Sequence, residues 1–248
     1  MADFREQPAL EAPDPPAQDP RRWGLGDCLI TVGLWFFFIA VALEILPPVD
    51  GTEPVNVRAW SAVGLIALPW LGLAGWPLLA TRLKGRGPVE DLRLRLTWRD
   101  AGFGVLGGVA GLLVASAVAA VQENLTGHGI SSSAGNAFDS LKGANPLPLL
   151  VFALLAGVGA PIVEEIGFRG LFFGALEKRG MRPVWCVLVT AVAFTLFHAE
   201  ATRILVLLPI AVALGVVRAW TGSTGASIVA HMTNNVPAAI GMAISAVR

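Results

Sequence analysis

Long apolar blocks, not alternating patterns, organise this chain. They fall near residues 28–46, 59–80, 101–122, 147–176, 184–198, 204–217 and 222–246. A hydrocarbon core about 30 Å thick takes roughly 20 helical residues to cross, at ~1.5 Å per residue. Apolar blocks of this length with few charges predict transmembrane helices. The expected fold is therefore all-α, a polytopic helical bundle of about 7–8 spans. The blocks at 184–198 and 204–217 are short for full crossings, which leaves tilted, re-entrant or neighbour-shielded segments open. The block at 147–176 is long for one crossing.

Between the blocks, the polar segments set the organisation. Residues 1–22 hold five prolines and scattered charges; such a composition buries no core and predicts a disordered cytosolic tail. Residues 23–146 then form N-terminal transmembrane helices and loops, and 147–248 a helical core that carries the chemistry. No apolar run near the start reads as a signal peptide, so the first span is expected to act as an uncleaved anchor. Thirteen of the basic residues that lie outside the 147–176 block fall on one side of a seven-span arrangement and four on the other. This bias puts the N-terminus in the cytosol of a multi-pass protein of the cell membrane. Trp23, Trp60, Trp76, Trp98, Trp185 and Trp220 fall near span ends, where amphipathic rings sit. In 101–122, Gly104/Gly108 and Gly107/Gly111 form two overlapping GxxxG pairs, expected to serve internal helix packing.

Composition sharpens this picture. Hydrophobic residues make up 54% of the 248 and charged residues only 15%; soluble domains carry about 25% charged residues. Net charge is zero, so no bulk attraction to nucleic acid is implied. The expected partners are the bilayer itself and a peptide or protein at the membrane. Cys28 and Cys186 lie in apolar blocks without metal-site spacing, and both read as packing residues.

Against this apolar background, a few polar residues carry the chemistry. Glu164, Glu165 and Arg169 follow an uncharged stretch that begins at Asn145, and the apolar run resumes after them at Leu171–Phe173. Each charge near the middle of a bilayer helix costs about 2.5–3.5 kcal/mol on insertion scales. Such a cluster must face protein or water, and it must pair. Glu165 and Arg169 are four apart, on one helix face, and suit an ion pair. Glu164 sits about 100° around the helix from Glu165 and is free to point elsewhere. The alternative is a solvated helix end, since Glu177, Lys178 and Arg179 soon follow. Downstream, His198 closes a charge-free stretch from Pro183, and His231 and Asn235 share a face of a segment without Asp, Glu, Lys or Arg. Taken alone, His198 also reads as an interfacial residue and His231/Asn235 as an interhelical hydrogen-bonding pair. Glu200 reads as a solvated charge at a span end, or else as an extra ligand or proton partner.

Three ordered motifs carry a family resemblance: Glu164-Glu165-Ile166-Gly167-Phe168-Arg169, the stretch from Phe194 to His198, and the stretch from His231 to Asn235. Over about residues 147–240 the chain resembles the CAAX-protease and bacteriocin-processing (CPBP, Abi) family of intramembrane glutamic endopeptidases. The basic segment from Asp91 to Asp100 is similar to that family's lead-in. The resemblance implies that Glu164 and His198 activate water, that His231 and Asn235 stabilise an oxyanion, and that Glu165 and Arg169 hold the glutamate helix. The implied activity is cleavage of a membrane-associated or lipidated peptide, with no cofactor. Rivals are a zinc-dependent version of the same protease, a non-proteolytic immunity or scaffolding member, and a proton-coupled transporter. There is no HExxH to pre-form a zinc site, and no evident inverted repeat. One difficulty stands: in straight crossings Glu164 lies toward the cytosolic half and His198 toward the outer half, yet the two must meet.

Overall fold

The computed structural model describes residues 22–248; apart from Arg22, the tail expected over 1–22 lies outside the described residues. The described chain forms α1 (Leu25–Ile45), α2 (Val55–Lys84), α3 (Trp98–Thr126), the short α4 (Ser133–Ser140), α5 (Pro146–Lys178), α6 (Pro183–Phe197), α7 (Ile204–Thr221) and α8 (Thr224–Ala246). The seven apolar blocks all become helices, mostly extended by a few residues at their ends. Among the described residues, five segments are long and apolar enough to cross a membrane: α1, α2, α3, α5 and Ala201–Thr221, which contains α7. α6 is apolar but shorter. α8 has the length, but Ser227, His231, Thr233, Asn234 and Asn235 dilute its apolar character. α4 escapes the block pattern because it has only eight residues, in a Ser/Gly/Asn-rich loop. Its Phe138 is buried with Ala59, Leu149 and Phe152, which fixes the loop to α2 and α5.

Hydrogen bonds tie the helix termini into two ends. At one end the Arg22 N–H donates to Lys84 O, the Lys178 ammonium to Trp23 O, and the Thr224 N–H to Arg93 O. At the other end the Arg58 guanidinium donates to Ser140 O, the Asn145 N–H to Asn56 Oδ1, and the Gln122 amide to Thr202 O. Most basic loop residues gather at the first end, called the basic end below. The outer faces of α1 and α3 are strongly apolar and exposed (Leu29, Phe36, Phe37, Leu43; Leu106, Leu113, Val121), as a lipid-facing belt requires. Trp23 departs from expectation. It is 2% exposed rather than interfacial, packed against Gly174 under the Lys178 ammonium. Trp98, at 95% exposed, and Trp220, at 81%, do sit outward.

α3 is the axis on which α7 and α8 pack, and its glycines explain how. A Cβ on Gly104 would come within 2.6 Å of Ala226 O, and one on Gly108 within 2.5 Å of Ala230 O. On Gly107 it would meet Val217 at 2.2 Å, and on Gly111 it would meet Ala213 at 3.0 Å. The two GxxxG pairs thus serve two different partners, Gly104/Gly108 for α8 and Gly107/Gly111 for α7. Asn234 locks the α3–α8 contact by donating to Gly108 O at 3.1 Å. This is internal packing, and it holds α8, with its polar face, against the rest of the bundle.

Gly108→Leu should cost about 1–3 kcal/mol or more, because the added side chain meets backbone and overpacking is not relieved by rotamer changes. Gly102, on the same helix with nothing within 4 Å of its Cβ position, provides the control: Gly102→Ala should be neutral or slightly stabilising. Thermal unfolding of the purified variants in detergent distinguishes the two.

Candidate active site

The glutamate helix α5 is not a uniform α-helix. It widens to π-helical geometry at Leu155–Gly159 and again at Ile166–Phe172. Pro161 accounts for the first turn. In π register the Ala160 N–H bonds Leu155 O, and the next carbonyl, Ala156 O, would need the N–H that proline lacks. Asn235 supplies it from α8, at 3.1 Å. The second turn contains no proline. Gly167 lets it approach Leu73 of α2, and Gly170 lets it approach Leu92. Its Arg169 carbonyl accepts from the buried Arg218 of α7, at 3.1 Å. Wide turns in a helix commonly mark functional positions, and here they bracket Glu164 and Glu165.

The depth difficulty raised by the sequence resolves through helix length. α5 and α6 join at the basic end. Glu164 lies 14 residues before Lys178, and His198 lies 15 residues after Pro183. At ~1.5 Å per residue both are about 21–23 Å from that end. α6 is the short segment the sequence allowed, and it stops beside Glu164 instead of crossing.

Glu165 and Arg169 are fully buried and paired at 2.9 Å. The same oxygen, Glu165 Oε1, also accepts from His231 Nδ1 at 3.0 Å. Arg169 donates its other terminal nitrogen to Ala211 O of α7 at 2.7 Å, and its guanidinium lies 4.6 Å from the centre of the Phe194 ring. One buried pair thus ties α5, α6, α7 and α8 together. The solvated-helix-end alternative for these charges does not hold.

Glu164 faces the other way, as its 100° offset predicted. Its Oε2 lies 3.9 Å from His198 Nε2 and 3.9 Å from His231 Nε2. The Glu164 side chain is 19% exposed and that of His198 25%, while the pair behind them is sealed and Glu164 Oε2 is itself buried. Glu164 Oε2 itself has no hydrogen-bond partner among the described residues. The partners of the imidazoles fix their protons. His198 Nδ1 meets Phe194 O at 2.8 Å, and His231 Nδ1 meets the Glu165 carboxylate. Both partners only accept, so each Nδ1 carries hydrogen. In the neutral ring each Nε2 then presents a lone pair toward Glu164. Glu164 Oε2 thus has an acceptor nitrogen 3.9 Å away on each of two rings, and a hydrogen placed between them is needed to satisfy either pair.

The structure therefore gathers Glu164, His198 and His231 at contact range, with Glu165 and Arg169 behind them. Asn235 is in the same helix turn as His231, but its amide is already engaged by Ala156 O. One amide hydrogen remains for any other acceptor. Glu200 does not join the cluster. It accepts from the Ser133 N–H at 2.7 Å and pairs with Arg203, closing the end of the bundle opposite the basic one. Burial pushes its carboxyl up, but the Ser133 bonds and Arg203 outweigh that and hold it below the ordinary value. It is a paired clasp rather than a freely solvated charge. Sequence reasoning missed Arg218, also buried, whose signal was a lone arginine at the end of an apolar span. It missed Asn234 too, which sits beside the Asn235 of the motif.

A buried acid–imidazole–guanidinium cluster thus lies inside a helical membrane bundle, and comparison with known proteins points to membrane peptidases as what the chain is similar to. Residues 146–237 match the family model described as type II CAAX prenyl endopeptidase Rce1-like, so the resemblance read from the three motifs is upheld over α5 to most of α8. The chain is 26% identical over 179 residues to a Bacillus subtilis protein named "Putative membrane peptidase YdiL", spanning 71% of this chain and 68% of that one. No solved structure matches.

Removing one partner of the buried pair, as in Glu165→Leu or Arg169→Leu, should cost about 3–5 kcal/mol of stability, because the other charge is left uncompensated. The double variant should recover most of that loss in chemical or thermal unfolding. If the single variants are as stable as wild type, the pair does not hold the helices together.

Proposed function

We propose that this chain is an intramembrane endopeptidase in which Glu164 and His198 activate a water molecule against a peptide carbonyl. The observation that carries this reading is the convergence of Glu164 Oε2 and the two Nε2 atoms at 3.9 Å. A water about 2.8 Å from two such atoms spans a gap of roughly 4–4.5 Å, depending on its angle. Its hydrogens satisfy two of the three acceptors, and its oxygen lone pair is directed away from them.

In the first step the water oxygen attacks the carbonyl carbon of the scissile bond. Its proton passes to Glu164 or His198, and the carbonyl oxygen becomes an oxyanion. General-base assistance of this kind contributes about 10²–10⁴-fold. The donors for the oxyanion are the free amide hydrogen of Asn235 and the Nε2–H of a His231 ring that has already taken up a proton from solvent, which leaves Glu164 and His198 as the acceptors for the water. Glu165, bonded to His231 Nδ1, holds the ring in place for that second role. Collapse of the intermediate returns the proton to the leaving amine. Arg169 touches none of the reacting atoms; it positions Glu165, which positions His231. The substrate class is a membrane-associated or lipidated peptide, which would approach along the partly exposed side chains of Glu164 and His198.

A second reading places a zinc ion among the same three atoms, which are chemically suited to it. Ligands of a tetrahedral zinc at ~2.0–2.1 Å stand about 3.3 Å apart. The 3.9 Å gaps are wider than that and closer to the water spacing, so we favour the metal-free reaction.

The test is cleavage of a fluorogenic peptide library by purified protein in liposomes. Glu164→Gln and His198→Ala should each lower kcat/KM at least ~100-fold while leaving the unfolding temperature close to wild type. A chelator should leave the wild-type rate unchanged. Full cleavage by either variant would end the proposal, and loss of activity on chelation, restored by zinc, would select the metal reading.

A further inference from the structure

The basic end carries a second built feature, remote from Glu164 and independent of the peptidase reading. Between the segment after α2 and the turn joining α7 to α8 lies a cavity of about 470 Å3, lined by Glu90, Arg93, Arg95, Asp100, Thr221 and Ser223 among others. A neighbouring cavity of about 340 Å3 shares Asp100 and Thr221 and adds Arg99, Phe103 and Trp220. The carboxylates here are already engaged. Glu90 pairs with Arg86 at 2.8 Å, and Asp100 accepts from the Thr97 N–H as a helix cap. By contrast, Arg95 and Arg99 have no carboxylate within ion-pair distance among the described residues; Arg99 lies only over the Phe103 ring, at 5.6 Å. Arg93 has one longer contact, 3.5 Å to Glu177, whose carboxylate is held more closely by Arg218 at 3.1 Å. The charge left over in these cavities is positive.

The arginines stand on a fixed base. The Thr224 N–H donates to Arg93 O at 2.9 Å, and the Ser223 hydroxyl donates to Arg95 O at 2.6 Å. The segment is thereby pinned to the α7–α8 turn, and its guanidinium groups project from backbone that cannot drift. The level of the site is set by Trp98 and Trp220, which flank it and are among the most exposed large side chains of the protein. Exposed indoles at helix ends mark the headgroup layer of a bilayer. What faces a surplus of guanidinium at that level is lipid phosphate, and Arg is the side chain best matched to its geometry.

We propose that Arg93, Arg95 and Arg99 form a binding site for the headgroup of an anionic phospholipid, with the Trp220 and Phe103 rings against the first part of its acyl chains. Zwitterionic lipid offers the same phosphate, but its cationic amine opposes the arginine surplus, so the site selects net negative lipid.

The experiment uses the full chain, released for native mass spectrometry from micelles containing equal amounts of dioleoylphosphatidylglycerol and dioleoylphosphatidylcholine. Wild type should retain phosphatidylglycerol preferentially. Arg95→Gln/Arg99→Gln removes the two arginines without ion pairs, so folding is preserved, and should lower that retention roughly 25-fold, at about fivefold per arginine. Equal retention of the two lipids by wild type would overturn the proposal, as would unchanged phosphatidylglycerol retention by the variant. Displacement of the lipid by millimolar inorganic phosphate would reassign the cavity to a free anion, and displacement by a peptide with a free C-terminal carboxylate would reassign it to a polypeptide end. The readout is binding alone, so its failure leaves the peptidase proposal untouched, and loss of peptidase activity leaves this one untouched.

Discussion

Glu165 and Arg169 are sealed from both lipid and water, so each survives as a charge only because the other is 2.9 Å away. Isolated, either would cost several kcal/mol to hold in a low-dielectric interior. That constraint propagates. To keep the pair together α5 must hold both residues on one inward face, and the wide turn at Ile166–Phe172 lies just there. To satisfy Arg169 further, α7 must present the Ala211 carbonyl, and α6 must present the Phe194 ring. To satisfy Glu165 further, α8 must present His231 Nδ1. Four helices are positioned by one carboxylate and one guanidinium, and the glycines of α3 let α7 and α8 come close enough to do it.

The chemistry at Glu164 depends on this arrangement. Because Glu165 holds the Nδ1 side of His231, the Nε2 side faces Glu164. Because Phe194 O holds the Nδ1 side of His198, its Nε2 also faces Glu164. Adjacent glutamates therefore divide by direction: the inner one orders the protein and the outer one faces the two imidazoles. One amide hydrogen of Asn235 repairs the carbonyl that Pro161 leaves unpaired, which fixes the segment leading into Glu164.

Much of this was legible in the sequence. The seven apolar blocks gave the helices, and the four-residue spacing of Glu165 and Arg169 gave the pair. The three motifs named side chains that the fold brings together, Glu164, Glu165, Arg169, His198 and His231. What the sequence withheld were interactions with no local signature. The π turns follow from a proline only once the partner of the orphaned carbonyl is known. The meeting of Glu164 with His198 depends on equal depth from a shared end, which needs the true ends of α5 and α6 rather than approximate block limits. Glu200 read as solvated because its partners, Ser133 and Arg203, sit in irregular segments. Trp23 read as interfacial because its burial under Lys178 is a contact across 155 residues of chain.

Everything proposed for the site rests on where the imidazole protons lie, and these can be observed directly. The chain has only three histidines, so 15N NMR of histidine-labelled protein in nanodiscs, assigned with single His→Gln variants, resolves each ring. His198 and His231 should both carry hydrogen on Nδ1 in the resting protein, whatever the state of Nε2. A bare Nδ1 with hydrogen on Nε2 in either ring would mean that Phe194 O or Glu165 does not hold that imidazole, and that the three acceptors do not converge on Glu164.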